Sequence, residues 1–308
     1  QRDKGPAGGG KGHHGSHRYA LASRWQRGLQ RDQSLHQGCS IDGARHQQGL
    51  NYVFRAITCN TNGIRAAHRK GFFAWLAKQN ADVVCIQETK AQEHQLVDDA
   101  FRPDGYHCYY NDAERKGYSG TALYAKQEPS AIEVKVGWEP VDSEGRYLRA
   151  DFEGLSVISL YVPSGSSNDD AQARKDVFME RFTPHMEALL KEPREFIICA
   201  DWNTCHQNID LKNWRSNQKN SGFMPYEREW LTKLYEEQGW VDVFRQMTTE
   251  PDLYTWWSNR GQAWANNTGW RLDYMLVSPG LSGTGQDFAI YRDERFSDHA
   301  PVTIDFAL

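Results

Sequence analysis

The sequence lacks several features that would settle its class at once. No apolar run reaches the roughly 18 residues needed to span a bilayer, and the first residues hold no apolar segment of the kind a secretory signal carries. Six cysteines, at positions 39, 59, 85, 108, 199 and 205, form no CxxC pair and no other zinc-type spacing. Cys85 in "VVCIQE" and Cys199 in "FIICAD" lie inside apolar runs, where a thiol behaves as a small hydrophobe. These absences point to a reducing, cytoplasmic setting and away from a membrane. A basic excess is also missing. Residues 1–50 hold eight Lys/Arg against three Asp/Glu, and the remainder holds 28 against 37, for a net charge of −4. A polyanion would normally select a basic body; here it must meet a local patch or a metal ion.

What is present suits a folded protein: 39% hydrophobic, 25% charged and 12% aromatic residues in 308. That length allows one large or two ordinary domains. Residues 1–50 read as a disordered basic extension, Gly- and His-rich in "GPAGGGKGHHGSH" and then Arg/Gln-rich, and no methionine occurs before Met179. From 51 to 308 the texture is that of a single domain. "YVFRAITCN", "ADVVCIQE", "GYHCYYND", "GTALYAK", "RYLRADF", "SVISLYVPSG", "EFIICADWN", "WRLDYMLVSP" and "APVTIDFA" read as strands bounded by turn residues. Phe72, Trp75, Leu76 and Gln79 share one face of a segment, and 169–192 is the longest helical stretch, with Pro184 placed to bend it. A further helix falls near "YEREWLTKLYEEQ". Mixed strands and helices without a repeat indicate an α/β domain with two layered sheets.

Several of these apolar strands end in carboxylates or amides. "AITCN" leads to Asn60 and Asn62, "VVCIQ" to Glu88, "FIICA" to Asp201 and Asn203, and "SVISLY" ends in Tyr161. "GWRL" meets Asp273, and Asp298-His299 precedes the last strand. Taken singly, each is an ordinary polar turn. Side by side, the strand ends would gather oxygens and one imidazole at a single rim. That set suits metal-assisted hydrolysis of a phosphodiester: Glu88 and amides offer the hard oxygens Mg²⁺ prefers. Asp201 can take a proton from water with Asn203 beside it, and His299 can donate to phosphate while Asp273 orients the ring.

The stretches "CNTNGIRA", "DVVCIQETK", "SLYVPSG", "ICADWN", "KNSGFMPYERE", "GWRLDYMLVS" and "FSDHAPV" together resemble the exodeoxyribonuclease III and apurinic/apyrimidinic endonuclease family, of the endonuclease/exonuclease/phosphatase superfamily. The resemblance covers residues 53–308. It implies a four-layered α-β-β-α sandwich, two mixed β-sheets flanked by helices, with the site at one edge. It implies Mg²⁺ as cofactor, with Mn²⁺ as a substitute, held at Glu88, Asn60, Asn62 and Asp298. Asp201, Asn203, His299, Tyr161 and Asp273 match the family's catalytic positions. Asn217 and Asn220 match amides that touch DNA, and Trp256, Trp270 and Leu272 match the lining of a pocket for an extruded baseless sugar. Lys90, Arg102, Arg115 and Lys116 are expected DNA-backbone contacts. The implied ligand is double-stranded DNA with abasic sites or 3′ ends, bound by a monomer. Ser164 stands where the family has an amide.

"GRYLRADF", "KNWR", "PYEREWL" and "GWRLDYMLVSPGL" also resemble the catabolite repression control protein, a branch of the same fold linked to RNA and translational repression. That alternative is a non-catalytic regulator. It gives no reason to keep Glu88, Asp201, Asn203, Asp298 and His299 together. A phosphatase or non-specific DNase of the same fold would share the acidic core but not the aromatic pocket.

Overall fold

Two six-stranded sheets face each other in the computed structural model, which describes residues 52–308. The extension expected over 1–50 lies outside the described residues. The first sheet contains β1 (Val53–Asn60), β2 (Val83–Gln87), β3 (His107–Asn111), β4 (Thr121–Ala125), β11 (Gly285–Ile290) and β12 (Val302–Ala307), in the order β11-β12-β1-β2-β4-β3. The second contains β5 (Ala131–Glu133), β6 (Tyr147–Asp151), β7 (Leu155–Tyr161), β8 (Glu195–Asp201), β9 (Val241–Asp242) and β10 (Asp273–Val277), in the order β5-β6-β7-β8-β10-β9. Only β1–β2 and β7–β8 are parallel pairs; the others are antiparallel.

The unbroken apolar runs follow from burial on both faces of each central strand. Along β8, Ile197 and Cys199 enter the core between the sheets, while Phe196, Ile198 and Ala200 face a second core. That outer core also takes Phe178, Phe182 and Met186 from α3 (Asp169–Leu189) and Trp230, Leu231 and Leu234 from α5 (Pro225–Glu236). Along β2, Val83 and Cys85 face inward, and Val84 and Ile86 face outward. The outward side meets α1 (Ile64–Arg69) and α2 (Phe72–Leu76) through Ile64, Phe72, Trp75 and Leu76. Helix, sheet, sheet and helix give the expected four layers. Each buried large apolar side chain contributes about 1.5–3 kcal/mol. Ile198→Asp would place an unpaired charge there and break the layer.

Parallel pairing sets the site. β1 and β2 run together, so Asn60 pairs with Gln87 and Glu88 follows at the same rim. β7 and β8 run together, so Tyr161 pairs with Asp201. β10 is antiparallel to β8 and starts at Asp273, opposite Asp201. β12 is antiparallel to β1, and the segment entering it brings His299 to the rim where β1 ends. Helix α3 runs through Pro184 to Leu189 without interruption. Strands β5, β9 and β11 add to those read from the sequence. β11 is a half-exposed edge strand, which leaves little apolar pattern to read.

Candidate active site

Glu88 is presented by a loop clamped from both sides. Gly63 N–H donates to the Glu88 carbonyl at 2.8 Å, Ile64 N–H to Thr89 at 2.9 Å, and Lys90 N–H to Ser119 at 2.9 Å. Gly120 closes the other side, where any Cβ would come within 2.3 Å of Thr89 Oγ1. Of the eight described non-glycine residues with positive φ, Asn62, Glu88, Lys90 and Asn203 all belong to this rim. Asparagine tolerates that conformation. For Glu88, at φ 50°, it is strain of about 1–3 kcal/mol that the clamped loop must sustain.

Asn60 joins the two sheets at the rim. Its Nδ2 donates to Glu88 Oε1 and to Asp201 Oδ2, both at 2.8 Å. One level below, Gln87 Nε2 crosses the same gap to Ser159 Oγ and the Cys199 carbonyl, each at 3.2 Å. Asp201 also receives the Asn203 N–H at 2.9 Å and Asn203 Nδ2 at 3.2 Å. Burial pushes the Asp201 carboxyl up to about 7, helped by the charges of Asp273 and Glu88 and opposed by His299 and the Asn203 N–H. His299 Nδ1 lies 2.9 Å from Asp273 Oδ2, and its Nε2 lies 3.9 Å from Asp201 Oδ2. Burial disfavours a charged ring, but Asp273 and Asp201 outweigh it and push His299 up to about 10. The acids around it favour the protonated ring, whose Nε2 faces Asp201.

Asp298, next in the chain, does a different job. Its Oδ1 accepts from Asn62 Nδ2 at 3.0 Å and Ser297 Oγ at 3.1 Å, and its Oδ2 accepts from Trp256 Nε1 at 3.1 Å. Burial opposes its ionisation, but His299, Asn62 and Trp256 together hold it below the usual carboxylate range. Tyr161 is buried with the Arg146 guanidinium 4.6 Å from its ring centre. Burial and the nearby Glu88 charge raise its phenol well above the ordinary value, so it keeps its proton.

Beside His299 stands an apolar wall. Trp256 and Trp270 are half-buried and edge to face, with centres 6.2 Å apart, and pack with Leu272, Leu211 and Phe223. The Trp256 and His299 ring centres are 6.5 Å apart. Asn217, in α4 (Trp214–Asn217), accepts from Asn220 Nδ2 at 2.7 Å and donates to the Asn213 carbonyl at 2.8 Å. The structure thus brings Asn60, Glu88, Tyr161, Asp201, Asn203, Asp273 and His299 together. It ties Asn62 and Asp298 to their edge and leaves Asn217 and Asn220 on the outer turn, bonded to each other.

The Endonuclease/Exonuclease/phosphatase family profile matches residues 57–299, most of the chain and every strand-end residue named above. The chain belongs to that family. It is 41% identical to an exodeoxyribonuclease of Bacillus subtilis over 81% of this chain and 98% of that protein. It is 36% identical to the DNA repair nuclease APEX1 of Danio rerio over 81% of each. An AP endonuclease from Archaeoglobus fulgidus superposes with a TM-score of 0.75 at 27% identity, covering 83% of this chain and all of that one. The chain is thus a hydrolytic nuclease of the exodeoxyribonuclease and AP endonuclease group.

Members of this family depend on a metal, and the nuclease has a place for one. Lys90 Nζ shows that a cation fits, lying 2.7 Å from Glu88 Oε2 and 2.5 Å from Asn62 Oδ1. Burial alone would raise Glu88, but Lys90, Asn60 and His299 together hold its carboxyl below the ordinary value. Glu88, Asp201 and His299 also offer ligand atoms within 4.8 Å of one another. The oxygens of Glu88 and its neighbours are the donors that suit a hard cation. No helix among the described residues is long and apolar enough to cross a membrane, and the five described cysteines are free.

Two of the expected DNA contacts have acidic partners. Lys90 pairs with Glu88, and Arg102 pairs with Glu93 at 2.7 Å. Arg115 lies 5.2 Å from the Tyr118 ring centre, and Ser164 Oγ bonds Ser166 Oγ at 2.9 Å. Gln87, Arg146 and Thr255 are participants the sequence did not reveal. Thr255 Oγ1 accepts the N–H groups of Leu272 and Asp273 at 2.9 and 3.1 Å, fixing where the wall meets the rim. Of these, only Gln87 carried a readable signal, as a polar residue at the end of a buried strand.

Proposed function

We propose that this nuclease is a DNA repair enzyme that hydrolyses the phosphodiester 5′ to an abasic site, leaving a 3′-hydroxyl. The same site removes nucleotides and blocking groups from 3′ ends in the 3′→5′ direction. The convergence of Glu88, Asp201 and His299 beside the Trp256–Trp270–Leu272 wall carries this reading. Asp201, raised toward neutrality and held by Asn60 and Asn203, accepts a proton from the attacking water. The water oxygen bonds to phosphorus, the bond to the 3′-oxygen breaks, and that oxygen leaves as an alkoxide that takes a proton from solvent to become the 3′-hydroxyl.

His299, kept cationic by Asp273, donates from Nε2 to a phosphate oxygen, and the protonated Tyr161 donates to another. Glu88, with Asn60 and with Asn62 backed by Asp298, would hold Mg²⁺, for which Mn²⁺ could substitute. Bound there, the ion would supply positive charge to offset that building on the phosphoryl group. The wall accepts the extruded sugar, which has no base pair to break, and Asn217 and Asn220 contact the backbone beside it. The domain over 51–308 acts as a monomer in the cytoplasm. A non-catalytic, RNA-binding role would leave the buried, charge-compensated rim without a use.

Digestion of an abasic duplex and a 3′-recessed duplex, each with Mg²⁺ or EDTA, tests the reading. Mg²⁺-dependent incision at the abasic site and 3′→5′ shortening of the recessed end are expected. Equal cutting of undamaged single and double strands would instead indicate a non-specific DNase.

A further inference from the structure

The stretch "KNSGFMPYERE" holds an acidic residue that the chemistry above does not use. Glu227, in the first turn of α5, is fully buried and meets an equally buried Lys175 from α3, Nζ to Oε1 at 2.6 Å. Lys175 stands on the apolar stripe of its helix, with Ala171, Phe178 and Phe182. Burying two charges is costly, and apolar residues of similar volume usually stabilise such a place as well or better. The charges themselves therefore do not account for the pair; the groups they hold do.

What only this pair can do is hold backbone groups. Lys175 Nζ donates to the Asn203 carbonyl at 2.7 Å. Glu227 Oε2 accepts the N–H groups of Gly222 and Met224 at 2.7 and 3.0 Å. These groups meet at one point. Gly222 has φ 89°, and a Cβ there would come within 3.0 Å of that same Asn203 oxygen and 3.3 Å of the Trp270 ring. Asn203 itself has φ 47°, so its carbonyl turns inward while its N–H and side chain grip both oxygens of Asp201. Lys175 is one residue removed from the proton acceptor, and Glu227 carries the same constraint to the turn bearing Asn220.

We infer that Lys175 and Glu227 are positioning residues, a buried pair that sets Asn203 and through it aims the Asp201 carboxylate at the attacking water. The inference rests on the proposed role of Asp201. The effect is on turnover, not on DNA affinity, because neither side chain reaches the surface.

The test is single-turnover incision of an abasic duplex at saturating Mg²⁺, with thermal unfolding alongside. The variants are K175M, the apolar pair K175M/E227L, N203A, K175M/N203A and D201N. In K175M/E227L the Asn203 carbonyl and the Gly222 and Met224 N–H groups lose their partners, so the unfolding temperature should fall; assayed well below it, turnover should fall about 30-fold or more while KM stays within about threefold. In the N203A background, K175M should cost less than about threefold more, since the group it acts through is already gone. Parental turnover in folded K175M/E227L, or the same fold-loss from K175M with and without Asn203, would overturn the inference. If D201N cuts at the parental rate, the proposed water activation itself fails. An inactive D201N beside a fully active K175M/E227L would sink only the positioning role.

Discussion

The strand-end rim and the loop-borne wall meet at His299 but are built on opposite principles. In the rim, Asn60, Asp201, Asp273 and His299 are buried, and their partners come from strands distant in sequence. In the wall, Trp256 and Trp270 are half-buried, Asn220 is exposed, and the supports come from neighbouring turns. The rim needs low exposure because charge–charge interactions strengthen away from water, and its shifted carboxyl and imidazole depend on that. On the proposed reading, the wall needs open aromatic surface for a ligand to reach, so chemistry falls to the sheets and recognition to the loops.

Substitutions should separate the two regions. Asp201→Asn is expected to lower the rate of incision by about 10³-fold or more with duplex affinity nearly unchanged, read by single-turnover kinetics beside a binding titration. If affinity fell in parallel, the rim would be part of recognition too. Glu88→Gln should shift the Mg²⁺ requirement upward by on the order of 100-fold, measured as rate against metal concentration.

The wall has its own anchor, and breaking it should cost stability. Arg271, between Trp270 and Leu272, is buried with its Nε 2.7 Å from Asp210 Oδ1 and its Nη2 2.7 Å from Asp242 Oδ2. Asp210→Asn would leave that buried guanidinium with Asp242 as its one remaining carboxylate and should destabilise by about 3 kcal/mol in chemical denaturation. Burial opposes ionising Asp210, but Arg271 and Arg245 outweigh it and hold its carboxyl at about 2, below the ordinary 3.8. A depressed acid stabilises the fold above its unfolded value and loses that contribution as pH falls from near 4 toward 2. The loss should be about 2 kcal/mol, and absent from Asp210→Asn. The smallest effect belongs to the outermost part. Trp270→Ala should raise KM for abasic duplex about tenfold with little change on 3′ ends, and Asn220→Ala only about twofold to threefold.

The four-layer order came from the family resemblance, but the two layered sheets were legible because central strands buried on both faces carry unbroken apolar runs, and a carboxylate ending such a run is conspicuous. Glu88 and Asp201 could be picked out that way, and Asp273 as the acid that opens one. β11 could not, since an exposed edge strand has no such contrast. Lys90 was readable as a cation but not as one folded back onto Glu88, because its partner is chosen by the positive-φ turn at Glu88 and Lys90 itself. Lys175 left a faint mark, a lysine on an apolar helix stripe, whose meaning depends on Glu227 more than fifty positions away. Local pattern names residue types at strand ends; which oxygen meets which proton is settled by packing across the sheets.

The Gln87 crossing has a mechanical consequence. Apolar faces resist being pulled apart but offer little resistance to sliding, since dispersion is nearly indifferent to direction. A hydrogen bond is directional, and Gln87 directs its amide to Ser159 and Cys199 on the opposite sheet while Thr58 Oγ1 donates to its Oε1 at 3.2 Å. That polar strut gives the sandwich shear stiffness directly beneath Glu88 and Asp201. Their separation is therefore set by the scaffold and not by the loops that carry the wall.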